Sequence, residues 1–204
     1  MNVGFQIDEI DKLNIKTDSS LPLILESQKR KNKNFDFLPS SLTFKNNLVY
    51  AQAREISFKD NKLKNYVIGN SKQVRVDNFN YVFIRQDPPY NMEYISSMHL
   101  LEQVKGPTKF INHPNGIRNA PEKISMLSYK EIIPPTVITR EKKEINDFIK
   151  QNGKCVIKPL YGNGGESIFL LDKQDENYNQ IIERFIDQLK AVSYTHLTLP
   201  TRNC

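Results

Sequence analysis

The pattern of apolar and polar positions at the start of the chain predicts a strand followed by a helix. Residues 3–7 form a short apolar run that is typical of a strand, and a polar loop follows at residues 8–18. Ser19, Ser20 and Pro22 then indicate a helix start, because a hydroxyl caps free N–H groups and proline needs none in the first turn. Apolar side chains continue at helical spacing, so the chain opens as an α/β unit.

Further strands and helices are predicted up to residue 112. Residues 42–44 and 48–50 flank an asparagine-rich turn and predict a hairpin, because asparagine tolerates the positive φ angle of a tight turn. Residues 81–84 give the strongest buried-strand pattern, and the prolines after it predict a loop. A helix capped by Asn91 and a strand at 109–111 follow. Strands interleaved with helices imply a mostly parallel sheet covered by helices.

Prolines are frequent between residues 113 and 135 and predict a domain boundary there. Beyond it, the apolar pattern again alternates between strands and helices. Strands are predicted at residues 136–138, 154–158 and 167–171, and helices at residues 142–150 and 175–189. The predicted fold class is therefore α/β, with an N-terminal domain and a second domain after the prolines.

The last residues differ in composition from the rest of the chain. Lys, Asn and Ile occur 21 times each, as AT-rich codons would give, yet from Ala191 onward there is no Lys, Ile, Asp or Glu. An ordinary C-terminal loop is one interpretation. A foreign segment, translated from cloning or adaptor DNA and fused to a truncated gene, explains the change better. We therefore predict that residues 190–204 are not native and leave them out of the predicted fold.

The charge of the chain raises the question of a nucleic-acid partner. The formal net charge is +6, from 29 Lys and Arg against 23 Asp and Glu. A basic balance is one sign of nucleic-acid binding, but the tight basic cluster at residues 29–33 has acidic residues on both sides. The codon bias also accounts for the lysine excess. We therefore expect no nucleic-acid partner, and a non-catalytic basic binding module stays as the alternative from another class.

Cysteine content and hydropathy bear on the compartment. Cys155 and Cys204 are too few for a disulfide framework, which favours a reducing interior. No apolar run approaches the ~20 residues that are needed to cross a bilayer. The first five residues lack the basic and apolar regions of a signal peptide. We therefore expect a cytoplasmic protein without a membrane partner.

Lys158 and the glycine-rich turn after it carry the most specific chemical signal. Strand alternation puts Lys158 on one face with Val156 and puts Cys155 and Ile157 on the other. The turn and the first residue of the returning strand supply Gly162, Gly164, Gly165 and Ser167. Such a loop brings N–H groups close to phosphate oxygens, although its spacing fits neither the Walker A motif nor the dinucleotide fingerprint. The pattern predicts a phosphate-holding flap, and a glycine-rich hairpin with a solvated lysine is the plainer alternative.

Lys123 is a second candidate for an anion site. It falls in the first turn of a short predicted helix that begins after Pro121. A first-turn lysine usually faces solvent, and its charge opposes the positive end of the helix dipole. The mismatch favours a bound anion but does not establish one.

Together, these motifs resemble the ATP-grasp ligases of the bacterial glutathione synthetase family. The resemblance is carried by Asn-Ala-Pro-Glu-Lys at 119–123 and by Val-Ile-Lys-Pro-Leu-Tyr-Gly-Asn-Gly-Gly at 156–165. The segments at 14–20, 85–90 and 112–118 are also similar to family motifs, so the resemblance covers about residues 1–188. It implies a parallel-sheet, Rossmann-like pre-ATP-grasp domain at 1–118. The first part of an ATP-grasp domain would follow at 119–189.

The resemblance also implies a reaction and its partners. Family members join γ-glutamylcysteine to glycine with ATP and Mg²⁺ (or Mn²⁺), through an acyl phosphate on the cysteinyl carboxylate. Another ATP-grasp carboxylate–amine ligase remains the alternative within the enzyme class. The intact enzyme would be a homo-oligomer.

The resemblance assigns residues to the sites as well. Lys123 and Lys158 match the two ATP-contacting lysines, and the matching flap over the phosphates is formed by Gly162, Gly164, Gly165 and Ser167. Ser19, Arg85 and Asp87 are candidates for γ-glutamylcysteine, with a helix cap and a loop brace as simpler roles for Ser19 and Asp87. The family's metal ligands lie in a C-terminal part without a counterpart here. We therefore expect no metal residue in this chain and little ligase activity from it alone.

Overall fold

The computed structural model describes residues 1–161, 167–189 and 195–198. The chain divides into two compact units, Met1–Asn119 and Ala120–Cys204. No helix in the described ranges is both long and apolar enough to cross a membrane.

The first unit is built on one eight-stranded sheet of mixed direction. Its strands are β1 (Asn2–Gln6), β2 (Lys33–Phe37), β3 (Thr43–Lys45), β4 (Leu48–Phe58), β5 (Tyr66–Ile68), β6 (Lys72–Arg75), β7 (Tyr81–Ile84) and β8 (Lys109–Ile111). The order is β3-β4-β2-β1-β7-β8, and β5 and β6 also pair with β4. The four strands β2-β1-β7-β8 are parallel, as the interleaved pattern predicts.

The other half of this sheet differs from the prediction of a mostly parallel sheet. Strand β4 pairs antiparallel with β2, β3, β5 and β6. The predicted hairpin is confirmed between β3 and β4, and its turn residues Asn46 and Asn47 have φ angles of 51° and 60°. The connections from β3 to β6 are too short for crossover helices, which parallel pairing requires.

Three α-helices belong to the first unit: α1 (Ser20–Lys29), α2 (Met92–Leu101) and α3 (Pro114–Asn119). The predicted hydroxyl cap of α1 is wrong, because Asp18 Oδ1 accepts the hydrogen bonds from the N–H groups of Ser20 (2.7 Å) and Leu21 (3.0 Å). The predicted cap of α2 is confirmed, since Asn91 Oδ1 accepts from the N–H of Tyr94 at 2.9 Å.

Both faces of the first sheet are covered by apolar side chains. On one face, Phe5 and Phe83 stack with ring centroids 5.1 Å apart, beside buried side chains of α1. On the other face, Phe37 and Phe79 stack at 6.0 Å beside buried side chains of α2. Gly4 lies under these last two rings, where a Cβ atom would come within 3.0 Å of Phe79 Cδ2. The packing fixes β1 and β7, and so fixes the loops at their ends.

The second unit contains a four-stranded sheet with helices against it. Its elements are α4 (Glu122–Ser125), β9 (Thr136–Thr139), α5 (Lys142–Asn152), β10 (Cys155–Pro159), β11 (Phe169–Leu171), α6 (Tyr178–Leu189) and β12 (Thr195–Thr198). The order is β11-β10-β12-β9, with every pair antiparallel. Its core includes Ile145 and Ile149 of α5, Ile157 of β10, and Ile182 and Phe185 of α6.

Strand β12 lies in the segment that was left out of the predicted fold. Its backbone pairs with β10 on one side and with β9 on the other, so it occupies an interior position in the sheet. This strand is not among the predicted ones, because the unusual composition of residues 190–204 set them apart from the rest of the chain. The foreign origin of that segment stays a prediction.

Candidate functional site

Lys158 lies near the end of β10 on the face that points away from the core. Cys155 and Ile157 are fully buried, whereas Val156 and Lys158 are half-buried on the opposite face, so the predicted alternation is confirmed. Leu170 of β11 pairs directly with Val156 and therefore shares its face. Because Leu170 is 52% exposed, this face of the sheet, which it shares with Lys158, offers an accessible apolar surface.

Lys123 is held at the same end of β10. It lies on the short helix α4, and its Nζ donates a hydrogen bond to the backbone oxygen of Pro159 at 2.6 Å. Pro159 directly follows Lys158, so the two lysines that the sequence singled out are brought to one place. Partial burial lowers the pKa of Lys123, and the charge of Lys158 lowers it further, whereas Glu122 acts in the opposite direction.

This arrangement concentrates positive charge where water is partly excluded. Two neighbouring ammonium groups repel each other, and burial of one of them adds a desolvation cost. A bound anion removes both penalties, and charge-assisted hydrogen bonds to phosphate oxygens are among the strongest that side chains make. The geometry at Lys123 and Lys158 can therefore hold a phosphate group.

The predicted flap is described only at its far end. Gly162, Gly164 and Gly165 lie outside the described residues, and their role over the phosphates stays a prediction. Ser167 is exposed and has a φ angle of 56°, in the left-handed region. The chain therefore leaves the turn at Ser167 in a conformation that few non-glycine residues adopt.

A second group of polar residues lies in the first unit, at the carboxyl ends of β1 and β7. These two strands are parallel and adjacent, with Gln6 opposite Ile84, so the loops that follow them meet. Arg85 Nη2 donates to Ser19 Oγ at 2.6 Å, although the two residues are 66 positions apart in the sequence. The backbone N–H of Asp87 donates to Asp8 Oδ2 at 2.7 Å. The three residues predicted for the substrate are thus in one region.

The helix cap predicted for Ser19 and the loop brace predicted for Asp87 are not formed by their side chains. Ser19 makes no helix-capping hydrogen bond through its side chain, because Asp18 does so, and its hydroxyl instead accepts from Arg85. The loop is braced through the backbone N–H of Asp87, which leaves the Asp87 carboxyl group available.

Asp8 and Asp18 complete this region and were not identified from the sequence. Asp8 lies just after β1 and Asp18 just before α1, and residues at the carboxyl ends of parallel strands are where α/β sheets bind ligands. The position of Asp8 just after a predicted strand was the sequence feature that could have identified it. Burial raises the pKa of the Asp87 carboxyl, the negative charges of Asp8 and Asp18 raise it further, and Arg85 lowers it. The region therefore carries excess negative charge beside one guanidinium group.

Sequence comparisons match both units to one family. Residues 1–118 match the family model described as the prokaryotic glutathione synthetase N-terminal domain, and residues 122–198 match its ATP-grasp domain. A glutathione synthetase of Rhodopseudomonas palustris is 37% identical over 185 residues, covering 91% of this chain and 59% of the relative. A glutathione synthetase of Buchnera aphidicola is 33% identical over 202 residues, covering 97% and 62%.

Solved structures with a similar fold include ATP-grasp proteins and synthetases. D-cycloserine synthetase DcsG aligns with a TM-score of 0.63 at 13% identity, covering 98% of this chain and 60% of that one. A RimK domain ATP-grasp protein from Sphaerobacter thermophilus aligns with a TM-score of 0.60 at 14% identity, covering 100% and 66%. The chain spans about 60% of the length of the curated relatives named above. Because a family model alone matches residues 1–118, more than half of the 204 residues, the chain belongs to the prokaryotic glutathione synthetase family.

Proposed function

We propose that the protein is a glutathione synthetase, an ATP-dependent ligase that joins γ-glutamylcysteine to glycine. The observation that carries the proposal is the placement of Lys123 and Lys158 at one end of β10, in the unit that matches the family's ATP-grasp domain. Two partly shielded ammonium groups favour a polyanion such as a triphosphate. The apolar face formed by Val156 and Leu170 beside them suits a nucleotide base.

In the proposed reaction, the γ-phosphoryl group of ATP moves to the cysteinyl carboxylate of γ-glutamylcysteine, which gives an acyl phosphate and ADP. The amine of glycine then attacks the acyl carbon, the phosphate leaves with the electrons of the C–O bond, and the amine loses a proton. Positioning and charge neutralisation do most of the work in phosphoryl transfer. Lys123 and Lys158 would neutralise the phosphates, and a flap at residues 162–167 would keep water from the acyl phosphate.

A divalent cation, Mg²⁺ or Mn²⁺, is part of the proposal because it shields phosphate charge when it is bound. Within residues 1–161, 167–189 and 195–198, no group of three or more His, Cys, Asp or Glu side chains is placed to hold a metal ion. No residue in these ranges is assigned to the metal.

Ser19, Arg85 and Asp87 are proposed to contact γ-glutamylcysteine. The support is their common position at the carboxyl ends of β1 and β7, with the Arg85 guanidinium oriented by Ser19. A guanidinium group held in this way suits a substrate carboxylate. A homo-oligomeric enzyme and a cytoplasmic location stay predictions from the sequence.

The test is a binding experiment with a competing substrate class. γ-Glutamylcysteine and D-alanine are titrated separately into the protein in the presence of a non-hydrolysable ATP analogue. We expect γ-glutamylcysteine to bind and D-alanine not to bind. We also expect Arg85→Gln to weaken γ-glutamylcysteine binding by about tenfold or more, as the loss of a charged hydrogen bond implies.

Arg75→Gln is the matched control, because Arg75 is another exposed arginine of the first unit and pairs with Asp77 at its own surface. It should leave the affinity unchanged. Binding of D-alanine in place of γ-glutamylcysteine would favour another ATP-grasp ligase. An equal effect of Arg75→Gln and Arg85→Gln would contradict the assignment of Arg85.

A further inference from the structure

Most of the net positive charge of the chain lies in two short segments of the first unit. Residues 26–33 contain three lysines, one arginine and one glutamate, and residues 59–65 contain three lysines and one aspartate. Their net charges are therefore +3 and +2, against +6 for the whole chain. A codon bias raises the lysine content everywhere, so it does not explain why the charge is concentrated in these two places.

The fold brings the two segments together. In the last turn of α1, Gln28 Nε2 donates to the backbone oxygen of Phe58 at 2.9 Å, and Gln28 Oε1 accepts from the Phe58 N–H at 2.6 Å. Strand β2 pairs antiparallel with the last part of β4, so the residues just before β2 lie next to those just after β4. Residues 26–33 and 59–65 therefore form one surface, which we call the basic surface.

The charges of the basic surface face solvent. Arg30 pairs with Glu26 at 2.9 Å. Six further cations are exposed and form no salt bridge with another described residue: Lys29, Lys31, Lys33, Lys59, Lys62 and Lys64. Neighbouring ammonium groups repel one another, and a polyanion that binds over them relieves this repulsion.

An open sheet edge adjoins the basic surface. Strand β5 begins at Tyr66, directly after the second basic segment, and pairs with β4. In the part of the chain that the structure describes, no strand pairs with β5 on its other side. An edge of this kind leaves backbone N–H and C=O groups available to an added strand.

The hydrogen bonds between β4 and β5 show which backbone groups face the open edge. The Gly69 N–H donates to the Glu55 oxygen at 2.8 Å. Because backbone polar groups alternate along an antiparallel strand, those of Val67 also point toward β4, and those of Tyr66 and Ile68 point to the open edge. The Val67 side chain is 42% exposed and offers an apolar contact to an added strand.

Together, the two features describe an extended peptide that carries acidic side chains. We propose that the basic surface and the edge of β5 bind an extended acidic segment of a partner protein, which joins the sheet as a strand beside β5. The backbone of this segment pairs with Tyr66 and Ile68, and its carboxylates lie over the lysines. The basic surface lies where β2 begins, whereas Arg85 and Asp87 lie where the parallel strand β7 ends. The partner therefore binds at the opposite edge from the residues proposed for the substrate, and the inference goes beyond the proposed function.

Nucleic acid is the other polyanion that binds basic surfaces, and the residues present favour a peptide instead. Residues 26–33 and 59–65 contain no Phe, Tyr or Trp on which bases could stack. Six of their seven cations are lysines, whereas arginine is the better residue for bidentate contacts with phosphate. A nucleic acid also lacks the alternating N–H and C=O groups that pair with a strand edge.

The experiment measures the binding of two labelled synthetic peptides to the full chain by fluorescence anisotropy at low salt. One peptide alternates glutamate with threonine. The other has the same sequence with its backbone nitrogens methylated, so it keeps the charge but cannot donate the hydrogen bonds of a ladder. We expect the unmethylated peptide to bind about tenfold or more tightly than the methylated one. Added salt should weaken its binding.

A charge-reversing double variant, Lys62→Glu with Lys64→Glu, places the peptide on the basic surface. It should weaken binding of the unmethylated peptide by about tenfold or more, because two attractive charges become repulsive. Lys143→Glu is the matched control, since Lys143 is an exposed lysine of α5 in the second unit. It should leave the affinity unchanged, and both variants should keep the Tm of the unchanged chain.

Several outcomes would overturn the inference. If neither peptide binds, the lysines only protect the edge of β5 from pairing. Equal affinities for the two peptides, or equal effects of the double variant and of Lys143→Glu, would contradict the site. A single-stranded RNA oligomer of matched charge is titrated as the competing ligand. If it binds more tightly than the unmethylated peptide, the surface recognises nucleic acid and the inference fails.

Discussion

Substitution of Gly4 by alanine tests whether the packing under β1 is as tight as the structure has it. A Cβ atom at Gly4 would lie 3.0 Å and 3.2 Å from two atoms of the Phe79 ring and 3.2 Å from Phe37 Cε1. Both rings are at most 2% exposed, so they cannot move into solvent. Overpacking of this kind destabilises the folded state by about 1–3 kcal/mol. Alanine also lowers the conformational entropy of the unfolded chain, which stabilises the folded state by about 0.4–1 kcal/mol. The expected net loss of unfolding free energy is about 1 kcal/mol, near the middle of the range of about 0–2.6 kcal/mol that the two effects span.

Gly116→Ala is the matched control for this prediction. Gly116 lies in α3 of the same unit, and nothing approaches within 4 Å of its Cβ position. Because alanine is the better helix former, this change should stabilise by about 0.5–1 kcal/mol. Urea unfolding followed by circular dichroism measures both variants. A Gly4→Ala protein as stable as the unchanged chain would refute the reasoning about the Phe37–Phe79 face.

Three further predictions concern charge, reactivity and the last strand. Burial raises the pKa of Asp87 in the folded protein. The stabilising contribution of its neutral form is therefore complete below about pH 4 and is lost as the pH rises. Asp87→Asn, which stays uncharged, should raise Tm near neutral pH, and this gain should vanish in acid. Burial raises the pKa of the Cys155 thiol to about 11, so in a Cys204→Ser chain iodoacetamide should label it only after denaturation. Deletion of residues 195–204 removes β12 from between β9 and β10, so Tm should fall. An unchanged melting curve would contradict the interior position of β12.

Strand positions could be predicted well where the apolar pattern is local. The alternation around Lys158 and the hydrophobic run at Tyr81–Ile84 both correspond to strands, because side-chain burial in a strand repeats every two residues. The antiparallel pairing of β4 could not be predicted in the same way. It depends on which strands meet after the chain has turned, and such partners are distant in sequence.

In the candidate site too, the sequence identified single residues but not the contacts between residues that are distant in the chain. Lys123 and Lys158 were identified from motifs, but their meeting at Pro159 depends on how α4 and β10 pack. Ser19 was assigned a capping role that Asp18 performs, because both residues are good caps and only the folded geometry decides between them.

The most direct test of the account is the affinity of a non-hydrolysable ATP analogue for the 204-residue chain. We predict that Lys123→Met and Lys158→Met each weaken binding by about ten- to a hundredfold, since a charged hydrogen bond contributes about 1.5–3 kcal/mol. Lys154→Met should have little effect, because Lys154 is exposed and pairs with Asp172 at 2.8 Å. Equal affinities for the three variants, or no binding by the unchanged chain, would contradict the claim that these two lysines hold the phosphates of ATP.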